Sequence, residues 1–369
     1  MHSKPKLSAY NSLFLDLLRV LAALAVVYVH ASDQWLSDTY TPPHGGANIG
    51  HLGVVVFFVL SGFVISYSTH SKNKGPLAYG IARLSRLYSM VIPALLITAC
   101  IQALVVYLDP VLSFEYIRGA SWPRYILSFF YLSESATWSA APPINRPLWS
   151  LSYEFWYYVI FGLLFFKNTK YRSYLFIGLA CVIAGPKIIL MMPIWLCGCF
   201  AYKLNHRVAL PYKSWSLVCL CLFLAGFLYA FLPAIPFKLG VPPLYYSNQF
   251  VTDYILGFLI GLALLFMPLT PSPTQVEKWA VRLRKMGDLT FPLYVLHHPL
   301  LILWKAVFGF QLDNRIDMWV AFWGVLIISC FLGILLERQR YFWNAFFKRL
   351  LNLPVLKTRI YPKLKAIHF

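Results

Sequence analysis

The sequence predicts an all-α, polytopic integral membrane bundle of about ten transmembrane helices, with both termini cytoplasmic. Three observations lead there. The chain is 59% hydrophobic and only 12% charged, with a mean hydropathy of +0.64; soluble domains carry about 25% charged residues. Apolar runs long enough to cross a bilayer recur along its whole length. Basic residues alternate between successive connections, as cytoplasmic loops collect Lys and Arg.

The first run, Phe14 to His30, reads FLDLLRVLAALAVVYVH. It is long for a signal peptide, carries Arg19 and has no small-residue cleavage site, so it is expected to remain as the first span. The expected spans are 12–31, 51–68, 88–108, 147–166, 171–185, 187–204, 215–232, 250–268, 288–308 and 317–337. The fifth and sixth are split at Gly185-Pro186-Lys187, a turn signal. One side then carries Lys4 and Lys6, Lys72, Lys74, Arg83 and Arg86, Lys167, Lys170 and Arg172, Lys203, Arg207 and Lys213, Lys278, Arg282, Arg284 and Lys285, and a basic C-terminal tail. The other side carries Arg118, Arg124, Arg146, Lys187, Lys238 and Arg315. The net charge of +19 is thus read as membrane topology, and nucleic acid is not an expected partner.

The connections add detail. The outer connection 32–50, with Asp33, Asp38, a Pro-Pro pair and glycines, is too short for a domain. The connection 109–146 is the longest; its run Tyr125 to Leu132 is too short to cross and is expected to lie at the interface or to re-enter, shaping a substrate entrance or packing as a lid. Residues 1–337 form one transmembrane unit, and 338–369 a basic tail in which Phe342, Trp343, Phe346 and Phe347 suit an interfacial helix on anionic lipid. The seven cysteines lie in or beside apolar runs and read as small core residues; Cys197 and Cys199 have no second pair or histidine cluster, so no disulfide frame or zinc site is expected.

Ionisable groups inside spans are functional candidates because burying them in lipid is costly. Arg19 and His30 are eleven residues apart, which places them on one helix face, about 16 Å apart along the axis. Asp16 is positioned to pair with Arg19. Glu154, in PLWSLSYEFWYY, is expected about two turns below the outer surface, near the height of His30. A carboxylate beside an imidazole would orient it and raise its basicity; a structural ion pair is the alternative. Ser61-Gly62 suits close helix packing, and the absence of Gly-x-Ser-x-Gly argues against a hydrolase elbow. Arg83 and Arg86 share a helix face and read either as positive-inside anchors or as a clamp for phosphates. His297 and His298 precede Pro299, which frees a carbonyl. Adjacent residues point about 100° apart, so one of the two at most is expected to face the His30 cavity. They lack H-x-x-x-H spacing and companion carboxylates, so no metal is expected.

Five blocks in order resemble the membrane-bound acyltransferase 3 family: the R-x10-H helix, GVVVFFVLSGFVI, ARLSRLYSMVIP, PLWSLSYEFWYY and LTFPLYVLHHPL. The resemblance covers about 11–337 and implies an O-acyltransferase of the cell membrane, in bacteria the inner membrane. It implies His30 as the essential base or acyl-transfer histidine and Glu154 as its supporting carboxylate. Arg19, Arg83 and Arg86 would serve donor binding. Acetyl-CoA or another acyl-CoA would be the donor, with no permanently bound cofactor, and a hydroxyl of a carbohydrate or lipid-linked glycan the acceptor; membrane lipids surround the bundle. The chain resembles the branch without a C-terminal esterase-like domain. It departs from the family's Asp-Gly before the first arginine, reading Asp16-Leu17-Leu18-Arg19, which concerns packing more than chemistry. Direct transfer and prior acylation of His30 both fit. The runner-up is a proton-coupled transporter, against which no duplicated halves are found; a polytopic scaffold is the third class.

Overall fold

The computed structural model describes residues 7–36, 48–117, 119–168, 171–207, 213–268 and 274–351. The expected features at Lys4, Lys6, Asp38, the Pro-Pro pair, Arg118 and Lys170, and the tail beyond Leu351, lie outside the described residues. The helices are α1 (Ala9–Trp35), α2 (Ile49–Lys72), α3 (Pro76–Leu108), α4 (Pro110–Tyr116), α5 (Trp122–Phe129), α6 (Trp149–Phe165), α7 (Tyr171–Ala184), α8 (Pro186–Arg207), α9 (Trp215–Phe231), α10 (Phe250–Leu265), α11 (Thr274–Phe308), α12 (Arg315–Arg338) and α13 (Arg340–Leu351).

Each of the ten expected segments coincides with a helix. Among the described residues, six helical stretches are long and apolar enough to cross a membrane: Ala9–Trp35, Ile49–Ser71, Pro76–Leu108, Pro186–Asn205, Val276–Phe308 and Arg315–Leu351. Three shorter apolar helices, α7, α9 and α10, accompany them. The protein is an all-α, multi-pass membrane protein. Helices α3 and α11 begin well before the expected apolar runs, at Pro76 and Thr274. Charged side chains end an apolar run but not a helix, whose hydrogen bonds are internal. Below, the end bearing Arg83 is called inner and the end bearing His30 outer, after the charge pattern.

The core is built on α2, which packs against α1 and α8, while α1 packs against α11. Asn48 caps α2 by accepting from the backbone N–H of Gly50 (2.8 Å) and His51 (3.2 Å). The α2–α8 contact is backbone to backbone. A Cβ on Gly62 would stand 2.0 Å from the Trp195 carbonyl oxygen, and one on Gly198 1.9 Å from that of Val59. The close-packing role expected of Ser61-Gly62 is therefore met by Gly62.

The longest outer connection re-enters the bundle. The Tyr125 hydroxyl donates to Gln102 Oε1 (2.9 Å), and the Tyr88 hydroxyl donates to the Phe129 carbonyl (3.2 Å). Residues 102 and 88 stand about 21 Å apart along α3, so α5 descends beside it. The chain turns at Tyr131, which stacks on Phe155 at 4.5 Å, and rises again past Ser152, which bonds Ser133 (2.8 Å). Irregular backbone at this depth persists where protein covers it; here Trp156 Nε1 donates to the Tyr131 carbonyl (3.0 Å). A fully buried ion pair, Lys187 Nζ to Glu134 Oε2 at 2.7 Å, ties the rising limb to α8, and Lys187 also donates to the Trp138 carbonyl (2.6 Å). Helix α13 is not solely a lipid-facing tail: Phe347 is buried against Tyr88 of α3, with ring centroids 5.7 Å apart.

Candidate active site

Two cavities lie in line through the bundle. The outer one, about 600 Å³, is lined by His30, Asp33, His51, Arg124, Arg146, Trp149, Tyr246 and His298 among others. The inner one, about 80 Å³, is lined by Arg19, Ser61, Arg83, Arg86, Glu154 and Tyr158. Val54 and Tyr294 line both and form the partition. Tyr294 is pinned there: its hydroxyl donates to the Pro147 carbonyl (2.9 Å) and accepts from Ser150 Oγ (2.7 Å).

In the outer cavity the hydrogen bonds assign the tautomers of neutral rings. His297 Nδ1 lies 3.1 Å from the Leu293 carbonyl, which only accepts, so Nδ1 carries the hydrogen. His297 Nε2 is then an acceptor, and His30 Nδ1 donates to it at 2.8 Å. This leaves the lone pair of His30 on Nε2. His298 Nδ1 donates to the Ile144 carbonyl (2.8 Å), leaving its Nε2 as an acceptor too. Pro299 supplies no N–H to the carbonyl of Val295; Asn145 Nδ2 satisfies that carbonyl (2.9 Å) and also binds Thr98 Oγ1 (2.9 Å). The Ile144–Asn145 corner thereby fixes α11 at the histidines. Around the cavity, burial pushes the Tyr246 hydroxyl above the ordinary phenol range, and burial with the nearby Glu115 pushes Tyr116 up to about 12, so both remain donors at neutral pH.

The inner cavity is cationic. Arg19 pairs with Asp16 at 3.1 Å, as expected from their spacing. Arg83 donates to Ser68 Oγ (3.0 Å) and lies over the Tyr79 ring (5.5 Å). Arg86 lies over Phe291 (5.9 Å) and has no hydrogen-bond partner among the described residues. Glu154 accepts from Ser61 Oγ (3.1 Å) and from the Tyr158 hydroxyl. An apolar groove of about 370 Å³ between α3, α6 and α7 shares Arg83 and Tyr158 with this cavity.

The structure brings Arg19, Arg83, Arg86 and Glu154 together and places His30 elsewhere. The expected contact between His30 and Glu154 is not formed; the neighbour of His30 is His297. The height argument failed because α6 starts deep. The chain has already re-entered before Trp149, so two turns below that start is well inside the bundle. The expectation that one of His297 and His298 at most would face the His30 cavity is met: His298 lines it with His30 and His297 does not, while their rings lie 5.2 and 5.0 Å from that of His30. Sequence reasoning missed the fully buried Asp253, which accepts from His51 Nε2 at 2.8 Å. An acid inside an apolar run was the available signal. Among the described residues, no cluster of His, Cys, Asp and Glu is arranged to hold a metal ion.

The chain is 30% identical over 155 residues to the acyltransferase MdmB of Streptomyces mycarofaciens, covering 40% of this chain and 37% of that protein. It is 30% identical over 161 residues to the O-acetyltransferase OatA of Staphylococcus aureus (strain NCTC 8325 / PS 47), covering 40% of this chain and 24% of OatA. A putative O-acetyltransferase of Staphylococcus aureus (strain COL) is 24% identical over 357 residues, or 84% of this chain and 53% of that protein. The chain thus spans about a quarter to a half of the length of these relatives. No solved structure is significantly similar. The profile described as the acyltransferase domain matches residues 12–338, nearly the whole described bundle, and the chain belongs to the acyltransferase 3 family.

Proposed function

We propose that this protein moves an acetyl or other short acyl group from acyl-CoA to a hydroxyl of a cell-surface or lipid-linked carbohydrate. The observation that carries the reading is the hydrogen-bond chain from Leu293 through His297 to His30, which leaves a lone pair on His30 Nε2 at the outer cavity. Directly inward lie three arginines.

The division of labour follows from size and charge. The inner cavity, at about 80 Å³, is too narrow for a nucleotide but suits a thin thioester arm. Arg83 and Arg86 hold the donor's phosphates at its mouth, and Arg19, held by Asp16, adds to the same field. The acyl group passes Val54 and Tyr294 to reach His30. His30 Nε2 takes the proton of the acceptor hydroxyl as the oxygen attacks the thioester carbonyl; the C–S bond breaks, and the thiolate leaves on the inner side. General-base action of this kind contributes about 10²–10⁴-fold. Glu154 is assigned to the inner cavity, where it holds Ser61 and Tyr158 beside the arginines.

The test uses membranes holding wild type or His30→Ala at matched expression, with radiolabelled acetyl-CoA and a cell-envelope extract. Label is expected in a base-labile glycan product only with wild type. Equal labelling by His30→Ala, or no His30-dependent labelling across a panel of acyl-CoAs, would sink the proposal and turn attention to solute transport.

A further inference from the structure

Beside His30 and His298, the outer cavity holds a third imidazole, which has no task in the mechanism above. His51 lines this cavity from the first turn of α2, oriented from three sides. Its backbone N–H is capped by Asn48 (3.2 Å). Its ring stacks on Trp149 with centroids 5.9 Å apart and planes at 14°. Its Nε2 meets Asp253 Oδ2 at 2.8 Å, and the other carboxylate oxygen of Asp253 accepts from Gln249 Nε2 (3.0 Å). Asp253 is fully buried. A carboxylate oxygen accepts, so Nε2 carries the hydrogen in the neutral ring and Nδ1 carries the lone pair. That Nδ1 has no protein partner among the described residues.

His30 and His51 also stand close across one helix contact. A Cβ on Gly50 would lie 3.2 Å from Val29 Cβ, so the residues just before each histidine touch. His30 and His51, on neighbouring helices, thus line one cavity together with His298 of α11, and each has spent its N–H on the protein. What such a pair takes from a ligand is two O–H donors set close together. The carboxylate behind His51 strengthens its lone pair as an acceptor. A buried pair that merely tied α2 to α10 would not need to line a cavity of about 600 Å³.

We propose that His51, held by Asp253, is a positioning residue for the acceptor: it accepts a hydrogen bond from the hydroxyl next to the one that reacts at His30. The cavity therefore selects a vicinal diol and decides which of its hydroxyls is acylated. This rests on the acyl-transfer reading above. No proton moves to His51; it orients, and His30 remains the base.

The probes are a vicinal cyclohexanediol and cyclohexanol, each offered with radiolabelled acetyl-CoA to membranes containing the full chain. Wild type is expected to favour the diol in kcat/KM by about tenfold to a hundredfold, the effect of leaving a buried acceptor unpaired. His51→Ala is expected to lose that preference, read as the ratio of kcat/KM on the two alcohols, the rate on the diol falling further than the rate on cyclohexanol because only the diol has a second hydroxyl bond to lose. His51→Gln, whose amide oxygen can accept, should recover part of the preference, and Asp253→Asn should weaken it. An undiminished diol preference in His51→Ala overturns the assignment, as does a wild type that uses both alcohols equally. Loss of both activities in all three variants makes the pair a structural tie and overturns it as well. A wild type that labels the envelope glycan but neither alcohol overturns the assignment alone, and one that labels none of the three overturns the acyl-transfer reading and the assignment with it.

Discussion

His297 offers the sharpest test of how His30 is held. In His297→Leu the buried His30 Nδ1–H loses its acceptor at 2.8 Å, and a branched apolar side chain fills the space. Leaving a buried donor unpaired costs about 1–3 kcal/mol. The ring can escape that cost by moving its hydrogen to Nε2, which places the hydrogen where the reactive lone pair should be. The productive tautomer then falls by about 5- to 150-fold, at about 1.4 kcal/mol per tenfold, and the rate falls with it. His297→Gln can present an amide oxygen to Nδ1–H and should lie within about tenfold of wild type. The assay is the initial rate of label transfer at saturating acyl-CoA, with expression matched and KM for acyl-CoA measured in parallel. The reasoning predicts that kcat falls while that KM holds, since His297 does not line the inner cavity. If His297→Leu keeps its rate within twofold, the hydrogen-bond chain does not set the tautomer of His30.

Two further outcomes follow from the donor cavity and from the re-entrant limb. Arg86→Gln removes a cation that has no hydrogen-bond partner among the described residues, so its donors are available to a ligand. Charge-assisted bonds of this kind are worth about 1.5–3 kcal/mol, so KM for acyl-CoA should rise by about 10- to 150-fold with KM for the acceptor unchanged; an unchanged acyl-CoA value would remove Arg86 from donor binding. Lys187→Met strands the fully buried Glu134 carboxylate and should cost about 3–5 kcal/mol. Adding Glu134→Met should recover most of that loss, and thermal unfolding in detergent reads the order; a double variant less stable than the single one would contradict the account.

The sequence by itself determined what depends on local pattern. Apolar run lengths and the alternation of basic residues set the helices and the break at Gly185, because lipid enforces both residue by residue. The eleven-residue spacing of Arg19 and His30 set them on one helix at different depths, though not in two separate cavities, and the close-packing reading of Gly62 held for the same local reason. The pairing of Asp16 with Arg19 was legible because both lie within one turn. Tertiary structure alone decided the partners that lie far apart in the chain. His30 meets His297 and His51 meets Asp253 across hundreds of residues, and no periodicity relates helices that touch only after folding. Glu154 is the instructive case. Its depth was reckoned from the start of its helix, but the re-entrant connection 109–146 begins that helix inside the bundle. A sequence counts residues along each helix correctly, while the height of one helix against another is set by packing, and here that offset moved the carboxylate from the imidazole to the arginines.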